Sequence, residues 1–314
     1  MTDTAPESPE ARARQGRWAR SLDHLQPGAR LYEVVKRVVL GVMAEGFIHA
    51  GNLAYLALIS IFPFFIVLAA LAHLLGMGPE TVSAIESFLA PLPRSVRDML
   101  RPVITDVLAQ RTGNLLWFGA LIGLWTTGSF IETIRAVLRW AYGVGWSKPF
   151  WHYRIGSAVL IVASVVLTFL AFVVQLALTG VEQVVIRLFP YAHGVLSWIG
   201  WGRLAPLVTL FVALYILFFT LTPSAYRRSG CPKWPGAALT AGWWAAVTMA
   251  LPRTIAAFGG YGLTYGSLAG VIVTLLFFWL VGLGLVIGAQ LNAALAKKPE
   301  TGVRGDDDGM PMED

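Results

Sequence analysis

The stretch LAYLALISIFPFFIVLAALAHLL, Leu53–Leu75, runs for 23 residues without an Asp, Glu, Lys or Arg. At a rise of about 1.5 Å per residue it makes roughly 34 Å of helix, enough to cross a hydrocarbon core of about 30 Å. Pro63 stands near its middle and frees one carbonyl, which neighbouring helices can re-satisfy and lipid cannot. His73 sits toward one end. The spacing predicts a kinked membrane-spanning helix packed inside a bundle, and the rest of the chain has to supply that bundle.

Upstream, Arg30–Ala44 places Leu31, Val34, Val35, Val38 and Val39 at helical spacing opposite Glu33, Lys36 and Arg37. This predicts an amphipathic helix at the membrane surface, leading into the first span. Before it, Met1–Gln26 is polar, with Arg12, Arg14, Arg17 and Arg20 around Trp18, a composition that suits a disordered tail or a contact with anionic head groups. Downstream, Gly78–Gly113 is too charged to span. Its apolar stripe Val96, Leu100, Val103, Ile104 and Val107, with Arg94, Arg97, Asp98 and Arg101 elsewhere, predicts an external interfacial helical segment that caps the bundle. Five further apolar runs follow at Leu115–Ile131, Ile155–Gly180, Leu204–Leu221, Ala237–Phe258 and Leu268–Leu291.

The expected fold is therefore all-α, a polytopic membrane helix bundle of six transmembrane helices. The spans fall at about 46–76, 115–138, 155–180, 204–222, 237–258 and 267–293, within a membrane domain 30–298. A basic tail, 1–29, precedes that domain and an acidic tail, 299–314, follows it. Composition agrees: 56% of the 314 residues are hydrophobic and 13% are charged, against about 25% charged in a soluble domain. The lone cysteine, Cys231, excludes a disulfide framework or a multi-cysteine metal site. No signal-peptide run occupies the start, so the chain is expected to insert by its own spans. Seventeen of the 24 Lys and Arg residues fall on the side that holds both ends of the chain. The positive-inside rule then predicts cytoplasmic termini and accounts for the net charge of +6 without nucleic acid.

Polar residues inside such a bundle are the candidates for function. Ser157, Ser164, Thr168, Gln175 and Glu182 in the third span are spaced 7, 4, 7 and 7, so they stay within about 20° of one line. A polar stripe faces protein or water rather than lipid, which suits a substrate path, although small hydroxyl residues also serve helix packing. Glu45, His49 and Asn52 lie on one face at the opening of the first span, a polar mouth able to relay protons or bind a head group, or simply to reach water at the interface. The structural candidates are Pro63, Gly266 and Gly288, the glycines permitting close helix approach. Glu132 and Arg135, one turn apart, are able to pair. No zincin spacing, nucleophile elbow or phosphate-binding Gly-rich loop occurs, so neither metal nor cofactor nor catalysis is expected.

Leu53-Ala54-Tyr55 with Ser60-x-Phe62-Pro63, Tyr142-Gly143-Val144, Pro149-Phe150-Trp151, Pro235-Gly236-Ala237, Tyr265-Gly266-Ser267-Leu268 and Gly288-Ala289-Gln290-Leu291-Asn292 together resemble the YihY/BrkB family, historically mislabelled as a ribonuclease. The resemblance covers about Ala44–Ala296 and departs at Gln290, where the family usually has Glu, and at Arg139, where it often has Asn. It implies a six-span protein of the bacterial cytoplasmic (inner) membrane linked with envelope integrity and resistance to host killing, and supplies no reaction. Two functions follow as expectations. One is transport or flipping of a lipid or other amphiphile; the other is a non-catalytic membrane scaffold. Membrane lipids are the expected partners, a homo-oligomer or envelope proteins stay open, and nucleic acid is not expected.

Overall fold

The computed structural model describes residues 4–14, 27–74, 89, 92–109, 113–145, 154–157, 159, 161, 201–227, 231–257 and 268–296. Every regular element among them is a helix: α1 Pro9–Arg14, α2 Pro27–Gly41, α3 Phe47–Leu74, α4 Arg94–Ala109, α5 Gly113–Tyr142, α6 Trp201–Leu221, α7 Ser224–Arg227, α8 Trp234–Ala257 and α9 Ala269–Leu295. A π turn, Val42–Gly46, joins α2 to α3, with Gly41 and Phe47 both in helical conformation, so the two form one continuous rod. The rod stays helical through position 63. Two described helices are long and apolar enough to cross a membrane, Gly28–Ile61 of this rod and Ala269–Leu295.

Helix α9 is the hub, touching α2, α3, α4, α5 and α8. It carries no charged side chain and places small residues on its packing faces. A Cβ on Gly282 would lie 3.0 Å from the Ala50 carbonyl of α3, and one on Gly46 would lie 3.2 Å from Val286. On the opposite side Gly288 faces Gly236 and Thr240 of α8 and Phe218 of α6. Close approach brings hydrogen bonds with it, as expected where lipid offers no competing partner. Thr240 Oγ1 donates to the Gly284 carbonyl at 3.1 Å, Trp243 Nε1 to Leu280 at 2.7 Å and Trp244 Nε1 to Val281 at 2.9 Å.

These pairings fix the helix directions. Gly41 meets Gln290 while Ala50 meets Gly282, so the α2–α3 rod runs antiparallel to α9. Asn292 holds Gly236 while Trp244 reaches Val281, so α8 is antiparallel as well. His49 lies beside Trp140, ring centroids 4.8 Å apart, and Ser60 donates to the Thr126 carbonyl at 3.4 Å, so α5 opposes α3. Tyr226, just past α6, packs on Tyr142 at the end of α5, ring centroids 5.0 Å apart. Helices α5, α6 and α9 thus finish at one end of the bundle, called the near end below, where α2 and α8 begin. Residue Val144 leaves α5 at the near end, whereas Trp201 opens α6 at the far end.

The stripe foreseen in α4 packs inward: Val96 and Leu100 are buried against Val247, Leu251 and Phe277, with Arg94, Asp98 and Arg101 exposed. The surface helix foreseen over 30–44 packs on α9 instead, and its faces divide differently from the spacing, with Val34 and Arg37 both turned inward. Its inner face follows α9, Arg37 reaching the Ala294 carbonyl at 3.5 Å, while Leu31, Tyr32, Val35 and Val39 face outward. The N-terminal segment also differs from a free tail. Ser8 and Pro9, a side-chain cap followed by a residue with preset φ, open α1, and Ala11 N–H bonds Ser8 Oγ at 3.2 Å. Ala5 and Ser8 are fully buried. The Ala5 amide donates to the Trp140 carbonyl at 3.0 Å.

Candidate functional site

Several helices end together at the near end, and each leaves carbonyls without helical donors. The buried cations there are used on those carbonyls. Arg12 donates to Ala293 at 3.2 Å and Arg37 to Ala294, both at the end of α9. Lys233 donates to Tyr226 at 2.8 Å and Arg227 at 2.9 Å at the end of α7. Arg227 reaches Thr220 and Thr222 at the end of α6, and Arg139 reaches the Gly145 carbonyl beyond α5. Helix α5 itself closes with Gly143 at φ 77°, Gly143 N–H on the Trp140 carbonyl and Val144 N–H on that of Arg139, the paired bonds of a left-handed C-terminal cap. Cations at helix C-termini also complement the helix dipoles.

Burial governs the ionisation of this plate. It lowers the Arg12 guanidinium to about 10, with Arg37 adding to the effect, and lowers the Lys233 ammonium. It raises the Tyr142 and Tyr226 hydroxyls, the latter further held by its 2.6 Å hydrogen bond to Glu10 Oε1. Arg139, one of the two departures from the resemblance, is thus a helix-capping arginine. Gln290 is buried against Gly41, a neutral amide occupying space that a side chain on Gly41 would need.

The structure brings two of the three mouth residues together. Glu45 stands in the π turn and its Oε2 is 3.9 Å from His49 Nε2, an ion-pair distance too long for a hydrogen bond, whereas Asn52 is exposed. His49 Nε2 and the neighbouring Trp140 Nε1 are buried without a hydrogen-bond partner. Such π turns often mark functional positions, because the extra residue redirects the side chains that follow.

Of the third-span stripe, Ser157 is described. It is fully buried and accepts a hydrogen bond from Arg135 Nη1 at 3.2 Å. Ser164, Thr168, Gln175 and Glu182 lie outside the described residues, as does Gly266. Of Pro63, the described part is the helical backbone. Gly288 lies at the crossing of α8 and α9.

Sequence spacing did not reveal the partner of Glu132. Its Oε2 is 3.0 Å from Arg154 Nη1, a residue 22 positions away. Arg154 lies along α5, also donating to Ser129 Oγ at 3.0 Å and to the Trp125 carbonyl at 2.7 Å, with its guanidinium carbon 3.8 Å from the Trp125 ring centroid. Thr126 is level with Ser60, about ten residues beyond the Ala50 that packs on α9. Glu132 therefore sits alongside α9, about 14 Å in from its far end. A charged pair is thus embedded beside an apolar helix able to cross a membrane, and Ser129, Glu132, Arg135, Arg154 and Ser157 form one polar seam.

Every regular element among the described residues is helical, and two of these helices are long and apolar enough to cross a membrane, as a helical membrane protein requires. The match to known proteins is specific: residues 43–310 fit the virulence factor BrkB family, and the chain belongs to it. A Bacillus subtilis (strain 168) relative named as ribonuclease-like, YfkH, is 29% identical over 259 residues, 81% of this chain and 91% of that protein. No solved structure matches. Among the described residues no group of three or more His, Cys, Asp or Glu could hold a metal ion.

Proposed function

We propose that the chain crosses the bacterial cytoplasmic membrane six times with both termini inside, and that it moves a lipid or other amphiphile between the leaflets in support of envelope integrity. The directions of α5 and α6 support the count, because the chain leaves α5 at the near end and enters α6 at the far end, which calls for an odd number of crossings between them. With Arg135 and Arg154 set aside, because they lie in the buried seam, the remaining distribution of Lys and Arg supports the orientation. The single observation that carries the transport reading is the polar seam of Ser129, Glu132, Arg135, Arg154 and Ser157, lying within the length of α9 and beside exposed, apolar Leu121, Ile122 and Trp125. Ionisable side chains at such depth are costly to keep and commonly mark substrate paths. Ser157, the first residue of the third-span stripe, belongs to this seam.

A scaffold is the second reading, favoured by the near-end plate and the α8–α9 crossing, where polar groups serve to close helix ends and join helices. Reconstitution into vesicles decides between them. Fluorescent phospholipid in the inner leaflet should become accessible to an external quencher faster with the protein than without it, and Gln175→Leu should slow this while the protein still folds. Equal rates in empty and protein-containing vesicles would leave the scaffold. No catalysis is proposed. Purified protein should leave RNA intact, and cleavage that survives purification and disappears on changing Glu45 or His49 would contradict this.

A further inference from the structure

The geometry points to Glu132 as the head-group position for an amphiphile whose polar end carries a primary ammonium, the open carboxylate oxygen Oε1 receiving its N–H donors. This rests on the amphiphile reading above and names the ligand class of that seam. Glu132 uses Oε2 on Arg154, while Oε1 is buried with no hydrogen-bond partner. An ionised carboxylate only accepts, so whatever completes Oε1 has to bring an N–H or O–H. A buried acceptor left without a donor is unfavourable, and most strongly so away from water.

The surroundings narrow the donor. Leu121, Ile122 and Trp125, on the same helix, are exposed, so a hydrocarbon tail can lie along this face while its head turns inward to Glu132. A divalent cation finds too few ligands, because Ser129 and the Trp125 carbonyl already accept from Arg154. Arg135 stands one turn from Glu132, about 5–6 Å away at Cβ, and its positive charge faces the side of Ser157. A head group that joins an ammonium to a phosphate a few ångströms away meets a carboxylate at one charge and a guanidinium at the other. The site then gains no net charge on binding, which matters in a low-dielectric interior.

The test is equilibrium retention of lipid by the full-length protein in detergent, read by native mass spectrometry. Phosphatidylethanolamine carries three N–H donors; phosphatidylcholine has the same charges and none. Phosphatidylglycerol offers hydroxyl donors with a net negative charge. Wild type should retain phosphatidylethanolamine about tenfold or more over phosphatidylcholine, the worth of a charge-assisted hydrogen bond. Glu132→Gln, equal in shape, should remove the preference. Equal retention of the two lipids, preference for phosphatidylglycerol, or an unchanged preference in Glu132→Gln would each overturn the inference. Should that variant not fold, the stepwise N-methylated series on wild type decides alone, retention falling with each lost N–H. The measurement is independent of transport. Selective retention without leaflet exchange removes the transport reading and keeps the site, and exchange without head-group preference does the reverse.

Discussion

Replacing Gly288 by alanine tests whether α8 and α9 are held at their present separation by the absence of side chains. The new Cβ would lie 2.8 Å from the Gly236 carbonyl oxygen and 3.1 Å from Phe218 Cζ, and closer still to Thr240 Oγ1. The threonine can rotate, but only by giving up its hydrogen bond to Gly284, a loss of about 1 kcal/mol. The Gly236 carbonyl is backbone and moves only with its helix. Overpacking of this kind costs about 1–3 kcal/mol, and the better helix propensity of alanine returns about 0.5–1 kcal/mol. The net expectation is a loss of about 1–3 kcal/mol. Gly242, on the same helix α8, has nothing within 4 Å of its would-be Cβ, so Gly242→Ala should instead gain about 0.5–1 kcal/mol. Denaturant unfolding of both variants in one detergent, followed by helical circular dichroism, gives the two signs side by side. A Gly288→Ala protein as stable as Gly242→Ala would refute the reasoning.

Asn292 is fully buried, accepting from Gly236 N–H at 2.8 Å and donating to the Lys233 carbonyl at 3.2 Å. Asn292→Ala should therefore cost about 1–3 kcal/mol in the same assay, since the buried Gly236 N–H loses its partner while the Lys233 carbonyl keeps the Ala237 N–H. Alkaline stability should depend on Tyr226: its folded pKa is raised, so above about pH 10 the folded state keeps a proton that the unfolded chain releases, and stability falls by about 1.4 kcal/mol per pH unit. Arg12, held at about 10, pulls the other way over that range. The comparison is accordingly with Tyr226→Phe, whose decline between pH 10 and 11.5 should be shallower than that of wild type.

Much of the helical layout was legible because it follows from hydropathy and period. Leu53–Leu75 lies largely within α3, the last apolar run became α9, and the Val96 and Leu100 stripe packs inward in α4 as its spacing required. The site was less legible because its contacts are long-range. Glu132 and Arg135, visible as neighbours on one turn, turn out to engage Arg154 and Ser157 alongside their own helix, and nothing local announces a partner 22 residues away. The arginines of the N-terminal segment could be counted but not placed. Arg12 bonds a helix end 281 residues away, and the one local signal of a folded segment, Ser8-Pro9, went unread. The union of α2 with α3 escaped notice because a π turn breaks the 3.6-residue period on which the reading depended.

The measurement that bears most directly on the transport reading is cysteine accessibility along the third-span stripe. With Cys231 replaced by serine, single cysteines at Ser157, Ser164, Thr168 and Gln175 are exposed in membranes to a small polar thiol reagent, with Leu160 and Phe169 as controls half a turn away. A path predicts labelling at Ser164, Thr168 and Gln175, graded from one end if the groove opens to one side, and protection at the controls and at fully buried Ser157. Uniform protection at all four stripe positions would contradict the account and leave a bundle whose polar residues only hold it together.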